Sequence, residues 1–182
     1  MDFILSQVFG GIALLLSGIS YFVSSKRLFL FIQLVLNIFY ALSFIIVGIY
    51  GAGFETILFT VLVFIVYYFE KMNEKVPILY LFVFSLLYII VGIMFFKEYI
   101  EIIPICTSII FTAVIWLKEM QTLRYFLLIP NALLVAYDII CSVYTTAILD
   151  FLDIVMLLSA IVTWHIKNKR QKSALENSKQ SK

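Results

Sequence analysis

Three aspartates, Asp138, Asp150 and Asp153, lie inside the apolar stretch LVAYDIICSVYTTAILDFLD, positions 134–153. A carboxylate is costly in hydrocarbon, so each of these must face water or protein, bind a cation, or hold a proton. Asp150 and Asp153 are spaced i,i+3 and share a helix face. On one reading these acids line an outward-opening cavity that attracts a cationic substrate, or they carry a proton or a sodium ion. On the other they are helix-end residues, favoured by the positive end of the helix dipole and wetted by lipid headgroups. Depth in the membrane separates the two readings, and depth follows from the spans.

The chain is 64% hydrophobic and 13% charged, against about 45–50% and about 25% in soluble domains. That composition describes an all-α integral membrane protein. Seven segments, 3–23, 28–50, 52–69, 76–96, 102–117, 125–144 and 147–166, approach the ~20 residues that cross a hydrocarbon core of about 30 Å. The polar junctions SSKR, YGAG, EKMNEK, KEYIE, KEMQTLR and VYTT separate them. No barrel-like alternation is present, and helices satisfy the backbone in lipid. The first segment opens on Asp2 and lacks a signal-peptide cleavage site, so it reads as a retained span.

Lys26, Arg27, Lys71, Lys75, Lys118, Arg124 and the basic residues of 167–182 fall on one side of these spans, and only Lys97 falls on the other. The basic side is cytoplasmic by the positive-inside rule, which puts the N-terminus outside and the C-terminus inside. Trp116, Trp164, His165, Tyr21, Tyr67, Tyr68 and Tyr125 read as inner interfacial anchors, and Tyr50, Tyr99 and Tyr144 as outer ones. Residues 1–166 form the transmembrane domain. The tail 167–182 is expected to be disordered, with its basic charge attracted to anionic lipid.

The strings RLFLFIQLVLNIFY (27–40) and RYFLLIPNALLVAY (124–137) match at Arg27 and Arg124 and at Tyr40 and Tyr137. Both open the middle span of a three-helix group. The expected arrangement is therefore 3+1+3: parallel repeats over 1–70 and 101–166, joined by a linker helix over 76–96. Transporters with such symmetry hold substrate near the midplane between repeats. Gly11 and Gly18, with Ser17, Ser20 and Ser24, form a small-residue face for helix packing.

At about 1.5 Å per residue, Asp138 lies about 9 Å below the outer surface, level with Asp153, while Asp150 is about 5 Å deep. Glu55 in span three is the counterpart of Asp150, and for these two the helix-end reading is preferred. For Asp138 and Asp153 a site is preferred. Asn37 falls near the midplane, Tyr40 and Tyr137 within a turn of it, and Gln33 and Asn131 nearer the cytoplasm. Asn37, Tyr40, Tyr137 and Asp138 are expected to form a substrate pocket with Asp153 and Asp150 at its outer mouth. Glu55, Gln33 and Asn131 are secondary candidates, though each amide taken alone is better read as interhelical glue. Pro130 is expected to break its helix and free a carbonyl. Cys106 and Cys141 read as packing thiols and His165 as interfacial. No metal or cofactor is expected.

FYALSFIIVGIYGAGFETIL (39–58), EIIPICTSIIFTAVIWLKEMQTLRYF (101–126) and the Tyr137–Asp138 pair resemble the YgjV-type bacterial inner membrane proteins, with similarity running from about Gly10 to Lys169. That family is similar, distantly, to the SWEET, PQ-loop and nicotinamide-riboside carrier group. The resemblance implies a multi-pass protein of the bacterial inner membrane. The chain departs from the pattern at Ser43, where a histidine is expected, and at Phe59 and Leu62, where Asn and Arg are usual. It departs again at Tyr137–Asp138, in place of a His-Asn pair; the acid early in the last span is kept as Asp150. The expected function is a small-solute transporter or facilitator working by alternating access between two three-helix bundles. A proton or sodium ion could be coupled, and a homodimer would suit so short a chain. The alternative is a non-transporting inner membrane protein: a sensor, assembly factor or partner subunit. No HExxH, GxSxG or Walker-type motif occurs, so no enzyme is expected. Nor is a nucleic-acid partner.

Overall fold

A computed structural model describes residues 2–96 and 99–180, without the side chains of Asp2, Phe3, Glu101, Thr145 and 172–180. Lys97, the one basic residue assigned to the outer side, lies outside the described residues, as does Lys182. The helices are α1 (Asp2–Phe22), α2 (Lys26–Ile46), α3 (Tyr50–Met72), α4 (Ile78–Phe95), α5 (Ile102–Ile115), α6 (Met120–Ile140) and α7 (Tyr144–Gln180), with a 3₁₀ turn at Tyr99–Glu101 before α5. No strand occurs among the described residues. Six helices are long and apolar enough to cross a membrane. The seventh, α5, has 14 residues and is about 21 Å long, short of the expected full span.

Chain chemistry decides where these helices stop. After α2, α3 and α6 stand Gly48, Asn73 and Ser142 in left-handed backbone, with φ of 81°, 58° and 60°. Each closes its helix with the same pair of hydrogen bonds. At α6 the Val143 N–H donates to the Asp138 carbonyl at 2.8 Å, and the Ser142 N–H to that of Ile139 at 3.1 Å. The α6–α7 turn therefore falls at 141–143, and VYTT, the expected turn, mostly belongs to the first turn of α7.

Two other expectations are corrected. Pro130 does not break its helix: α6 runs unbroken through it, because lipid offers the backbone no better partner than continued helix. The tail backbone is helical to Gln180, where disorder was expected. KNKRQKSALENSKQ holds no Gly or Pro and many strong helix formers, and it only has to extend a helix already nucleated in the membrane.

In the bundle α2 packs between α1 and α3, and α6 between α5 and α7. The two groups meet along α1 with α7 and along α3 with α5, while α4 leans on α3 and α5 from outside. The apolar core, which includes Leu30, Val66, Leu123 and Leu157, gathers at one end of the bundle, where α1, α3 and α5 finish and α2 and α6 begin. That end also bears the basic junctions.

Of the two glycines expected to pack, only Gly18 does. A Cβ there would collide with the Met156 thioether of α7, whereas nothing lies within 4 Å of one at Gly11. Gly18→Leu should therefore cost about 1–3 kcal/mol through overpacking, read as a lower unfolding midpoint in detergent. Gly11→Leu should leave the midpoint unchanged; equal effects would disprove this seam.

Candidate functional site

Asp150 and Asp153 are the seventh and tenth residues of α7. Neither sits in the first turn, so the helix-end account of Asp150 does not hold. Asp153 is 8% exposed, and its Oδ1 accepts a hydrogen bond from the Ser17 hydroxyl of α1 at 2.9 Å. Ser17 Oγ lies 3.2 Å from the Tyr21 hydroxyl, which is also near Asn131 of α6. Tyr40 of α2 is within electrostatic range of Asp153 and Asp150. Four helices thus converge on the carboxyl groups of α6 and α7.

Asp138 is 6% exposed and lies close enough to Asp150 of α7 to interact with it, while its Oδ2 has no hydrogen-bond partner among the described residues. Depth counted along the backbone paired Asp138 with Asp153. The pairing with Asp150 follows from side-chain direction. Every Cα–Cβ bond tilts toward its helix's N-terminus, so on antiparallel helices Asp138 leans away from the turn and Asp150 toward it. The two therefore converge from different levels. No Lys, Arg or His forms an ion pair with the three aspartates among the described residues.

The expected polar layer is divided. Asn37 is buried, but its amide donates to the Gln33 carbonyl of its own helix at 2.6 Å. Gln33 reaches across to Ser20 of α1 at 3.1 Å, and Asn131 also donates to Leu127 O at 2.8 Å. Tyr137 is half-buried on α6. Glu55 is the sixth residue of α3, past its first turn, and is not with the aspartates. It accepts a hydrogen bond from Ser108 of α5 at 3.1 Å. Tyr40, Asp138, Asp150 and Asp153 are brought together; Asn37, Gln33 and Glu55 form other links.

Reading the sequence missed Ser17, Tyr21, Ser108 and Arg124. Ser17 belongs to the small-residue packing face, and on that face it stands i,i+4 from Tyr21, a spacing that lets the two side chains act together. Tyr21 is no interfacial anchor: at 4% exposed it belongs to the core. Arg124 is 2% exposed and donates to the Val23 carbonyl just after α1 at 2.6 Å. With its amide turned so that the oxygen meets the neighbouring donors, Gln121 can accept from Trp164 Nε1 at 3.2 Å and from Arg124 Nη1. Its sequence counterpart Arg27 is exposed and donates to the Glu70 carbonyl near the end of α3 at 3.1 Å. Both arginines thus satisfy carbonyls at helix C-termini, where cations are favoured.

A family model described as bacterial inner membrane protein matches residues 4–168, which reaches from α1 into α7. No curated protein and no solved structure matches the chain.

Proposed function

The chain belongs to the Imp-YgjV family of bacterial inner membrane proteins, and from that premise we propose that it is a transporter or facilitator of a small polar solute, working by alternating access between two three-helix halves. The observation that carries the proposal is the buried carboxyl cluster at the meeting of the halves, bridged to α1 by the Ser17–Asp153 hydrogen bond. Buried acids without basic partners are expensive, and in a membrane they mark solute or ion pathways.

The pattern of packing supports two parallel repeats. An operation that takes α1 to α5, α2 to α6 and α3 to α7 exchanges the α1–α7 seam with the α3–α5 seam. Each seam holds one serine–carboxyl hydrogen bond, Ser17–Asp153 and Ser108–Glu55. The outlying position of α4 suits a linker. With the N-terminus outside, the dry core and the Arg124 clamp close the cytoplasmic end, and the aspartates lie toward the outer one. Three acids without a basic partner favour a solute with cationic character.

Native mass spectrometry of the purified protein, followed by thermal shift and counterflow in proteoliposomes, tests this reading. A retained small polar solute should raise the unfolding midpoint and drive its own counterflow. If no compound is retained and none of the candidate solutes exchanges, the transport reading fails and a non-transporting role replaces it.

A further inference from the structure

Arg124 is the fifth residue of α6, at the basic end of the bundle, and is almost fully buried. A guanidinium keeps its charge wherever it is placed, so burying it is costly unless its donors are used. Here they are only partly used. Nη2 donates to the Val23 carbonyl at 2.6 Å, and Gln121, one turn earlier on the same helix, can hold Nη1. Nε is buried with no partner, and no carboxylate forms an ion pair with the group among the described residues. Arginine's planar fork is matched to a carboxylate, yet this one reaches out to a single carbonyl.

That carbonyl belongs to the other three-helix group. Other polar ties at this end stay inside one group: Lys26 with Glu70 at 3.6 Å, Arg27 with the Glu70 carbonyl and Asn73, and Tyr125 with His165. Arg124 instead runs from α6 to the residue just beyond α1. Beside it on α6, Leu123 and Leu127 belong to the apolar core, together with Tyr21 and Leu30 of the first group. The tie therefore spans the groups where apolar side chains fill the space between them. Ser17, which holds Asp153 of α7, stands six residues before Val23, about 9 Å along α1. A hydrogen bond to a neutral carbonyl is weaker than a paired salt link, and breaking it would return the unpartnered Nε to water. Such a contact suits a part that has to let go.

We propose that Arg124 is the releasable latch of the basic end. Bound to Val23, it holds the two groups together over the apolar core; released, it lets that end open. The inference rests on the reading of two halves that move against each other, and it assigns the closing of one end to a single side chain.

Thiol labelling of the full chain in nanodiscs with a water-soluble maleimide tests the latch. Cys106→Ser and Cys141→Ser remove the native thiols, and one probe is added at a time. Leu127→Cys lies in the core beside Arg124, and Ala13→Cys is buried on α1 about 15 Å from Val23. With Arg124 in place both probes should react slowly. Arg124→Gln should speed labelling of Leu127→Cys about tenfold or more, the order expected for losing one hydrogen bond to a charged group, and leave Ala13→Cys slow. Arg27→Gln should change neither. An unchanged rate at Leu127→Cys overturns the latch. An equal rise at both probes also overturns it, since Arg124 then supports the whole fold and not one end. No solute enters this measurement, so a failed latch leaves transport to be decided by counterflow, and an absence of counterflow leaves a localised opening in place.

Discussion

If the chain transports as proposed, Asp153→Asn is expected to slow solute uptake about tenfold to a hundredfold, with the protein still folded. Asparagine preserves the shape of the side chain and can still accept from the Ser17 hydroxyl, which now lies 2.9 Å from Asp153 Oδ1. It loses the charge. Hydrogen bonds to charged groups contribute about 1.5–3 kcal/mol, against about 0.5–1.5 for neutral ones, and each 1.4 kcal/mol is about tenfold. If a cationic group of the solute replaces the serine as partner, the whole charged contribution is lost. Ser17→Ala should have a smaller effect, because the carboxylate stays available to the solute. Initial rates in proteoliposomes, with size-exclusion profiles as the folding control, separate these cases. Unchanged uptake in Asp153→Asn and in Asp138→Asn at every pH tested would remove both residues from the site.

Arg124→Ala should destabilise the fold by about 2–4 kcal/mol, more than any other single polar truncation at the basic end. The side chain is almost fully buried, so its removal leaves the Val23 carbonyl without the donor now at 2.6 Å and the Gln121 oxygen short of one of its two donors. Unmade buried hydrogen bonds of this kind cost about 1–3 kcal/mol each. Arg124→Lys should recover little, because an ammonium cannot supply two separated planar donors. Arg27→Ala, at the position that aligns with it in sequence but exposed, should cost under about 1 kcal/mol. Denaturant unfolding in mixed micelles reads all three. A loss at Arg27 equal to that at Arg124 would mean that burial does not decide the difference.

Those two arginines also show where the sequence was informative and where it was not. Hydropathy and polar punctuation located every helix, because in lipid a backbone segment that is apolar and long enough has little choice of structure. The turn before α7 was misplaced because VYTT and CSV are both nearly uncharged, and only the left-handed Ser142 distinguishes them. The match of Arg27 with Arg124 was visible, but not that one would be buried and the other exposed: burial depends on which helix ends lie nearby. The aspartates stood out by type and depth. Their partners did not, since Ser17 and Tyr21 belong to a helix more than a hundred residues away in the chain. Tyr21 was misread because position near a helix end identifies an interfacial ring only when that side of the helix faces lipid.

The closure of α6 bears on how such a molecule could move. The Val143 N–H is fastened to the carbonyl of Asp138 itself, so the residue that meets Asp150 is also the one on which the hairpin turns. Few residues separate α6 from α7, so under the proposed alternating access the two helices would be expected to move together, keeping Asp138 beside Asp150. Under the same proposal, relative movement of the two groups would be felt at the Ser17–Asp153 hydrogen bond, which ties the hairpin to α1. The approach of the two hairpin helices and the tie to α1 thus fall on different side chains, Asp150 and Asp153, three residues apart on one face of α7.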